Sequence, residues 1–360
     1  MRAHHVKTVG TTNHSLQAAD LESCVLRLGS RLEPLRGAAV FLTGCTGFIG
    51  KWLVETLLCA NDLLGLNCHL HLLTRSPQKF FQSMPHVADR DDLATVAGSL
   101  LDAPESVFPA MDYVVHGANL VVLPTQEWAA DHCRLATLGT ERLFRLAASR
   151  GCRAALLLSS GAVYGTQALA QSPPFAEEPQ PLTERIHESV LYGETKRFTE
   201  LFAVALGQQC NIRVSVARCF AFCGGHLPLN SPHALISFIK DACAGREICI
   251  RGDGLAQRSY MYGSDMAEWL LAMLVHGPHG QALNVGSEQA VSIGDLAQLV
   301  QKLHGGGRVR ILNETVSANA PSVYLPDTKL TRATLRVKET VSLEQGLANT
   351  LEWFNNSDQA

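Results

Sequence analysis

The chain has 360 residues, about what two lobes sharing one cleft need, and 46% of them are hydrophobic against 18% charged. With 30 Lys+Arg against 33 Asp+Glu the formal charge is −3, which leaves no basic surplus for coating a nucleic acid and no compositional cause for disorder. No run of 18 apolar residues offers a membrane span, and the first 20 residues lack the apolar stretch of a secretory signal. Eleven cysteines without CxxC or zinc spacing read as reduced thiols in a cytoplasm, and 14 scattered histidines give no reason to expect a metal.

Residues 1–36 read as a polar tail followed by a helix, Leu21 to Leu35, with apolar positions Leu21, Val25, Leu26, Leu28 and Leu32. From residue 37 an apolar run, a glycine-bearing turn and an amphipathic helix recur. Strands are predicted at Ala38–Leu42, Cys68–Leu73, Ala94–Ala97, Tyr113–His116, Ala154–Ser159 and Ile212–Ala217. Helices are predicted at Gly50–Leu64, Glu127–Arg150 and Val190–Gln208. Near-continuous apolar strands alternating with helices imply an α/β fold, a doubly wound parallel sheet of Rossmann type over residues 37–217. A smaller, loop-rich C-terminal substrate-binding lobe over residues 218–360 is expected to interleave with it and to close on a helix ending near Phe354.

Three segments carry chemistry. Thr43-Gly44-Cys45-Thr46-Gly47-Phe48-Ile49-Gly50 follows a strand and opens a helix. In that context Gly44 permits the tight turn, Gly47 lets a pyrophosphate approach the backbone, and Gly50 lets the helix pack close; the diphosphate would sit on the positive helix end. The second strand ends Leu72-Leu73-Thr74-Arg75-Ser76, with Arg75 where a ribose-binding acid commonly stands, so NADP is expected ahead of NAD. Tyr192 and Lys196, four apart on one helix face, form an acid/base pair in which the ammonium lowers the phenol pKa. The hydroxyl of Ser160 ends a buried apolar run, where ligands of open α/β sheets collect.

TGCTGFIG, the HGA of His116–Ala118, SSGAVYG, YGETK, RSYMYGSD at Arg258–Asp265 and NVG at Asn284–Gly286 stand in the order and spacing of a known group. From Gly37 to Phe354 the chain resembles the extended short-chain dehydrogenase/reductases, and among them the NAD(P)-dependent epimerase/dehydratase family of nucleotide-sugar enzymes. The resemblance implies that Tyr192 is the acid/base, that Lys196 holds the nicotinamide ribose and tunes the tyrosine, and that Ser160 bonds the reacting oxygen. It further implies a cofactor lining of Gly44, Thr46, Gly47, Phe48, Ile49, Gly50, Arg75, Ser99, Leu100, His116 and Ala118. Gly161, Arg258 and Asn284 join Ser160 on the substrate side.

Departures from the family pattern narrow the reaction. Members that dehydrate a sugar carry an Asp-Glu pair where this chain has Gly161-Ala162. Ser99 replaces an acid at the adenine, Ala221 an asparagine at the substrate diphosphate, and Gly225 a proline. The expected activity is hydride exchange at a sugar carbinol or ketone, epimerisation or 4-keto reduction and not 4,6-dehydration, in a homodimer built on the helices Glu127–Arg150 and Val190–Gln208. An NADPH-dependent reductase of a non-sugar carbonyl and a non-catalytic dinucleotide-binding regulator are the competing readings.

Overall fold

A computed structural model describes residues 15–118, 128–165, 174, 190–312 and 321–357 of the chain. Residues 1–14 of the polar tail and Glu127, the first residue of a predicted helix, lie outside the described residues. Seven parallel strands form the central sheet: β1 (Ala39–Thr43), β2 (His69–Thr74), β3 (Leu93–Ala97), β4 (Tyr113–His116), β5 (Ala154–Ser160), β6 (Arg213–Cys219) and a seventh, Ala282–Val285. Their spatial order is seventh–β6–β5–β4–β1–β2–β3. β1 lies between β2 and β4, Thr43 being level with Leu73 on one side and His116 on the other. The chain winds outward in both directions from this point, so a crevice opens beyond the carboxyl ends of β1 and β4.

The strands are apolar throughout because helices cover both faces of the sheet. One core runs from the N-terminal segment across one face of the sheet and on into the C-terminal lobe, joining Val25, Leu42 and Trp52 to Phe238, Trp269 and Leu347. A second core on the other face holds Phe41, Val114, Phe144, Leu157 and Val216. The lobe shares the first core with the sheet, and the seventh strand comes from beyond residue 217.

Two predicted helices are interrupted. The first, α1 (Ala18–Leu28), stops at Gly29, whose φ of +48° breaks the α-geometry, and a 3₁₀ turn continues to Leu35. Residues 15–35 are an integral layer rather than an appendage. Leu21, Cys24, Val25, Leu28 and Leu32 are buried, Arg27 bonds Asp265 at 3.2 Å and Glu268 at 2.5 Å, and the Tyr262 hydroxyl donates to Asp20. The helix predicted over 127–150 is Trp128–Arg134, a π-helical turn Leu135–Gly139, and Thr140–Ser149. Apolar residues recur at helical spacing in the sequence through this turn, so periodicity alone reads one continuous helix, although Leu138 in the turn is left exposed. The helix after β1 also starts two residues earlier than expected, as α2 (Phe48–Leu64).

Candidate active site

The turn between β1 and α2 is fixed by steric necessity at two of its three glycines. Gly44 has φ +74°, and a methyl group there would overlap the Gly117 carbonyl and come within 2.9 Å of the Ala118 nitrogen. A methyl at Gly50 would lie 2.6 Å from the Gly44 carbonyl oxygen. At Gly47 the nearest atom would be 3.6 Å away, so its surroundings are open and α2 begins without a side-chain cap. Open space in front of uncapped helix amides fits a dinucleotide's pyrophosphate. Thr46 and Gly47 are exposed, and Phe48 and Ile49 half-buried, around that space.

His116 does not line the site as expected; it braces the turn from beneath. It is 3% exposed, with Nδ1 3.0 Å from the Thr43 hydroxyl and Nε2 3.0 Å from that of Thr140. The Thr43 oxygen already accepts from the Gly117 and Ala118 amides, so its own proton goes to Nδ1 and the Nε2–H donates to Thr140. Burial, with the charge of Lys196 adding to it, lowers the imidazole pKa to about 3, and the ring is neutral. Only the backbone at 117–118 carries its influence outward.

Elsewhere on the cofactor side, Arg75 is exposed just past the end of β2. Ser99 is half-buried after β3, and its amide and hydroxyl both donate to Asp102 Oδ1 at 2.8 Å. An acid therefore stands three residues beyond the position where Ser99 replaces one. Leu100 departs from its expected place beside an adenine. It is 1% exposed and packs into the second core near Gly139, so its side chain supports the floor from within.

The acid/base group forms where β5 meets the helix Leu191–Cys210. Ser160 ends β5 level with Cys219, and its Oγ accepts from the Ala162 amide at 3.2 Å, capping the 3₁₀ turn Gly161–Tyr164. The helix lies directly on this turn: a methyl at Gly193 would overlap the Ala162 carbonyl oxygen, and Arg197 donates to the Val163 carbonyl. That approach turns Lys196 under the strand, where Nζ donates to the Leu158 carbonyl at 2.7 Å. Burial lowers the Lys196 pKa to about 8. Tyr192, one turn earlier, is half-buried at the cleft.

Behind this group, Glu200 accepts from Ser159 Oγ at 2.5 Å and from Arg218 at 2.7 Å. Arg218 lies over the Tyr164 ring and bonds its hydroxyl at 3.1 Å. Asn284 belongs to this network and not to the substrate side. It is fully buried, its Oδ1 accepts from Tyr164 at 2.8 Å, and its amide donates to the Asp327 carbonyl at 3.0 Å. With both ends committed, it has nothing to offer a ligand.

Arg258 is half-buried in the lobe, in a strand between Val291–Ser292 and Val323–Tyr324, with Nη1 donating to the Gln257 and Ser322 carbonyls. A cavity of about 460 Å³ lies between the helix Ala234–Cys243 and the loop leading to Arg258, with Phe238, Lys240 and Arg251 in its wall. Two residues at the site carry no motif in the sequence. The His132 ring is 5.8 Å from that of Tyr192, and burial together with Lys196 holds its pKa below the ordinary value. The Tyr324 hydroxyl meets Ser160 beside Gly161.

No helix among the described residues is long and apolar enough to cross a membrane, and no three of their His, Cys, Asp or Glu side chains converge as a metal site. The sequence model of the NAD dependent epimerase/dehydratase family matches residues 40–286. UDP-glucuronic acid decarboxylase 1 of Xenopus tropicalis is 27% identical over 320 residues, covering 88% of this chain and 72% of its own. An epimerase structure from Methanothermobacter thermautotrophicus superposes with a TM-score of 0.74 at 20% identity, over 95% of this chain and 97% of that one. The dTDP-glucose 4,6-dehydratase of Bacillus anthracis, solved in complex with NAD, superposes with a TM-score of 0.73 at 17% identity, over 89% of this chain and 98% of that one. With the glycine turn, the Ser-Tyr-Lys group and the seven-stranded sheet in the same frame, the chain belongs to the NAD dependent epimerase/dehydratase family, enzymes of the extended short-chain dehydrogenase/reductase class.

Proposed function

We propose that this enzyme exchanges hydride at a carbinol or ketone of a nucleotide-diphosphate sugar, by epimerisation or 4-keto reduction, with NADP as preferred cofactor and NAD accepted. It acts as a cytoplasmic homodimer. The observation that carries the reading is the meeting of Ser160, Tyr192 and Lys196 at the carboxyl end of β5, in the crevice that also receives the β1–α2 turn. A nicotinamide bound there supplies or accepts the hydride. Ser160 holds the reacting oxygen, Tyr192 gives or takes its proton, and Lys196 favours the phenolate while it is charged. Gly44, Gly47 and the start of α2 hold the diphosphate, Arg75 meets a 2′-phosphate, and the lobe cavity near Arg258 takes the nucleoside end.

The relatives include a decarboxylase and a dehydratase, and Gly161 and Ala162 favour neither reaction here, since neither side chain can move a proton. The test is chromatography with mass spectrometry after incubation with UDP-glucose, UDP-glucuronic acid or dTDP-glucose and NAD or NADP, and with a 4-keto nucleotide sugar or a nucleotide-free ketone and NADPH. An isobaric sugar without net cofactor change supports epimerisation. Stoichiometric NADPH loss with a 4-keto sugar supports reduction. Loss of water or carbon dioxide refutes the reading of Gly161 and Ala162, and turnover of ketones lacking a nucleotide, with none of the sugars, transfers the case to a non-sugar carbonyl substrate.

A further inference from the structure

The pair Gly161-Ala162 leaves a gap in the functional groups around the reacting carbon, and the structure fills it from the other lobe. Tyr324 reaches the site on the short strand Val323–Tyr324, which pairs in parallel with Gln257–Arg258 and places Tyr324 level with Arg258. Its ring packs on Phe220 at 4.8 Å between centroids, and Phe220 packs in turn on Tyr164. This aromatic stack directs the Tyr324 hydroxyl to Gly161. A methyl group on Gly161 would overlap that oxygen and come within 2.9 Å of Phe220 Cζ. The volume that a side chain after Ser160 would enter is therefore already occupied by a phenol. That phenol is hydrogen-bonded to the Ser160 hydroxyl, and it lies close enough to Tyr192 for the two phenolates to repel.

We propose that Tyr324 is a third substrate-contacting hydroxyl of this site, holding the reacting sugar oxygen together with Ser160 and standing in space for the side chain that Gly161 lacks. Burial, with Tyr192 close by, pushes its phenol well above the ordinary value, so it stays protonated at neutral pH and acts as a donor. Tyr192, paired with Lys196, is the phenol that changes protonation. The division gives one tyrosine the proton transfer and the other the fixed hydrogen bond to an oxygen that gains negative charge as hydride arrives. No extra oxidant or acid is consumed: the proton comes from Tyr192, and Tyr324 keeps its own. Tyr324 belongs to the lobe and Ser160 to the sheet, so the set of donors is assembled from both.

The inference rests on the proposed sugar oxidoreduction, so its test has an arm that needs no substrate. Tyr324→Phe, Gly161→Ala and the double variant are melted without ligand. Gly161→Ala should lower Tm, and by clearly less in the Tyr324→Phe background, where the overlapping oxygen is gone. Equal losses in both backgrounds overturn the placement. The second arm measures NAD(P)H absorbance in single turnover with whichever of UDP-glucose, UDP-glucuronic acid or dTDP-glucose the wild type oxidises. Tyr324→Phe should slow the hydride step about ten- to a hundredfold with unchanged cofactor affinity, and Tyr192→Phe should slow it more and shift the pH profile. A wild-type rate in Tyr324→Phe overturns the role. Wild type that neither oxidises any of these sugars nor reduces a 4-keto nucleotide sugar with NADPH refutes the sugar reading, while the melting arm still decides whether the phenol fills the place of a side chain at 161.

Discussion

Replacing Lys196 by methionine should stabilise the protein while destroying its activity. The ammonium is buried at 8% exposure, and burial moves its pKa from an ordinary 10.5 to about 8. At 1.36 kcal/mol per pH unit, keeping it charged in the folded state costs about 3 kcal/mol at neutral pH. The bond from Nζ to the Leu158 carbonyl returns about 1 kcal/mol, and that carbonyl keeps its place in the sheet when the bond is lost. Methionine has a similar length and no charge, so the net gain is about 2 kcal/mol. Spread over an unfolding entropy near 2.1 cal/mol/K per residue, that is a rise in Tm of roughly 2–3 °C. The pH dependence gives the sharper check. Between pH 8 and about 10.4 the unfolded lysine binds the proton that the folded one has released, so the wild type gains stability as pH rises through this window. The gap between variant and wild type should be full below pH 8 and nearly closed by pH 10.5. Thermal melts from pH 6 to 10.5 decide it. A variant less stable than wild type at pH 7, or a gap that does not narrow, would refute the burial argument.

If Arg75 meets a 2′-phosphate as proposed, Arg75→Asp should put NAD ahead of NADP, with a loss of about tenfold to a hundredfold in NADP affinity read by calorimetry with both dinucleotides. Gly44→Ala combines a φ of +74° with overlap on the Gly117 carbonyl, so it should cost at least about 2 kcal/mol and abolish dinucleotide binding, as seen in thermal melts with and without NADP. Glu200→Gln leaves the guanidinium of Arg218 buried beside a neutral partner and should cost about 3–5 kcal/mol in urea unfolding.

The sheet and the glycine turn were legible because parallel strands covered on both faces must be apolar runs, and because Gly44 and Gly50 stand where no side chain fits. That Tyr192 and Lys196 share one helix was legible from their four-residue spacing. What escaped the sequence was the destination of polar side chains whose partners are remote in the chain. Asn284 lies next to the last residue of its strand, and nothing local tells that Tyr164 and Asp327 bond both ends of its amide. His116 adjoins the cofactor turn, but its two threonines come from β1 and a later helix. Tyr324 was invisible because a two-residue strand has no periodicity, and only tertiary folding brings it to Gly161. The break at Gly29 and the π-helical turn were missed for a different reason, since an apolar stripe persists across both.

The N-terminal layer imposes a timetable on synthesis. The bond from Arg27 to Glu268 spans 241 positions, so α1 leaves the ribosome long before the helix that covers it exists. At about 5–20 residues per second the wait is roughly 12–50 s. During it α1 has only α2 to pack on, so the stripe of Leu21, Val25 and Leu28 is covered in part on a helix too short to persist alone. The nascent chain is thus a client for any factor that shields apolar segments emerging early.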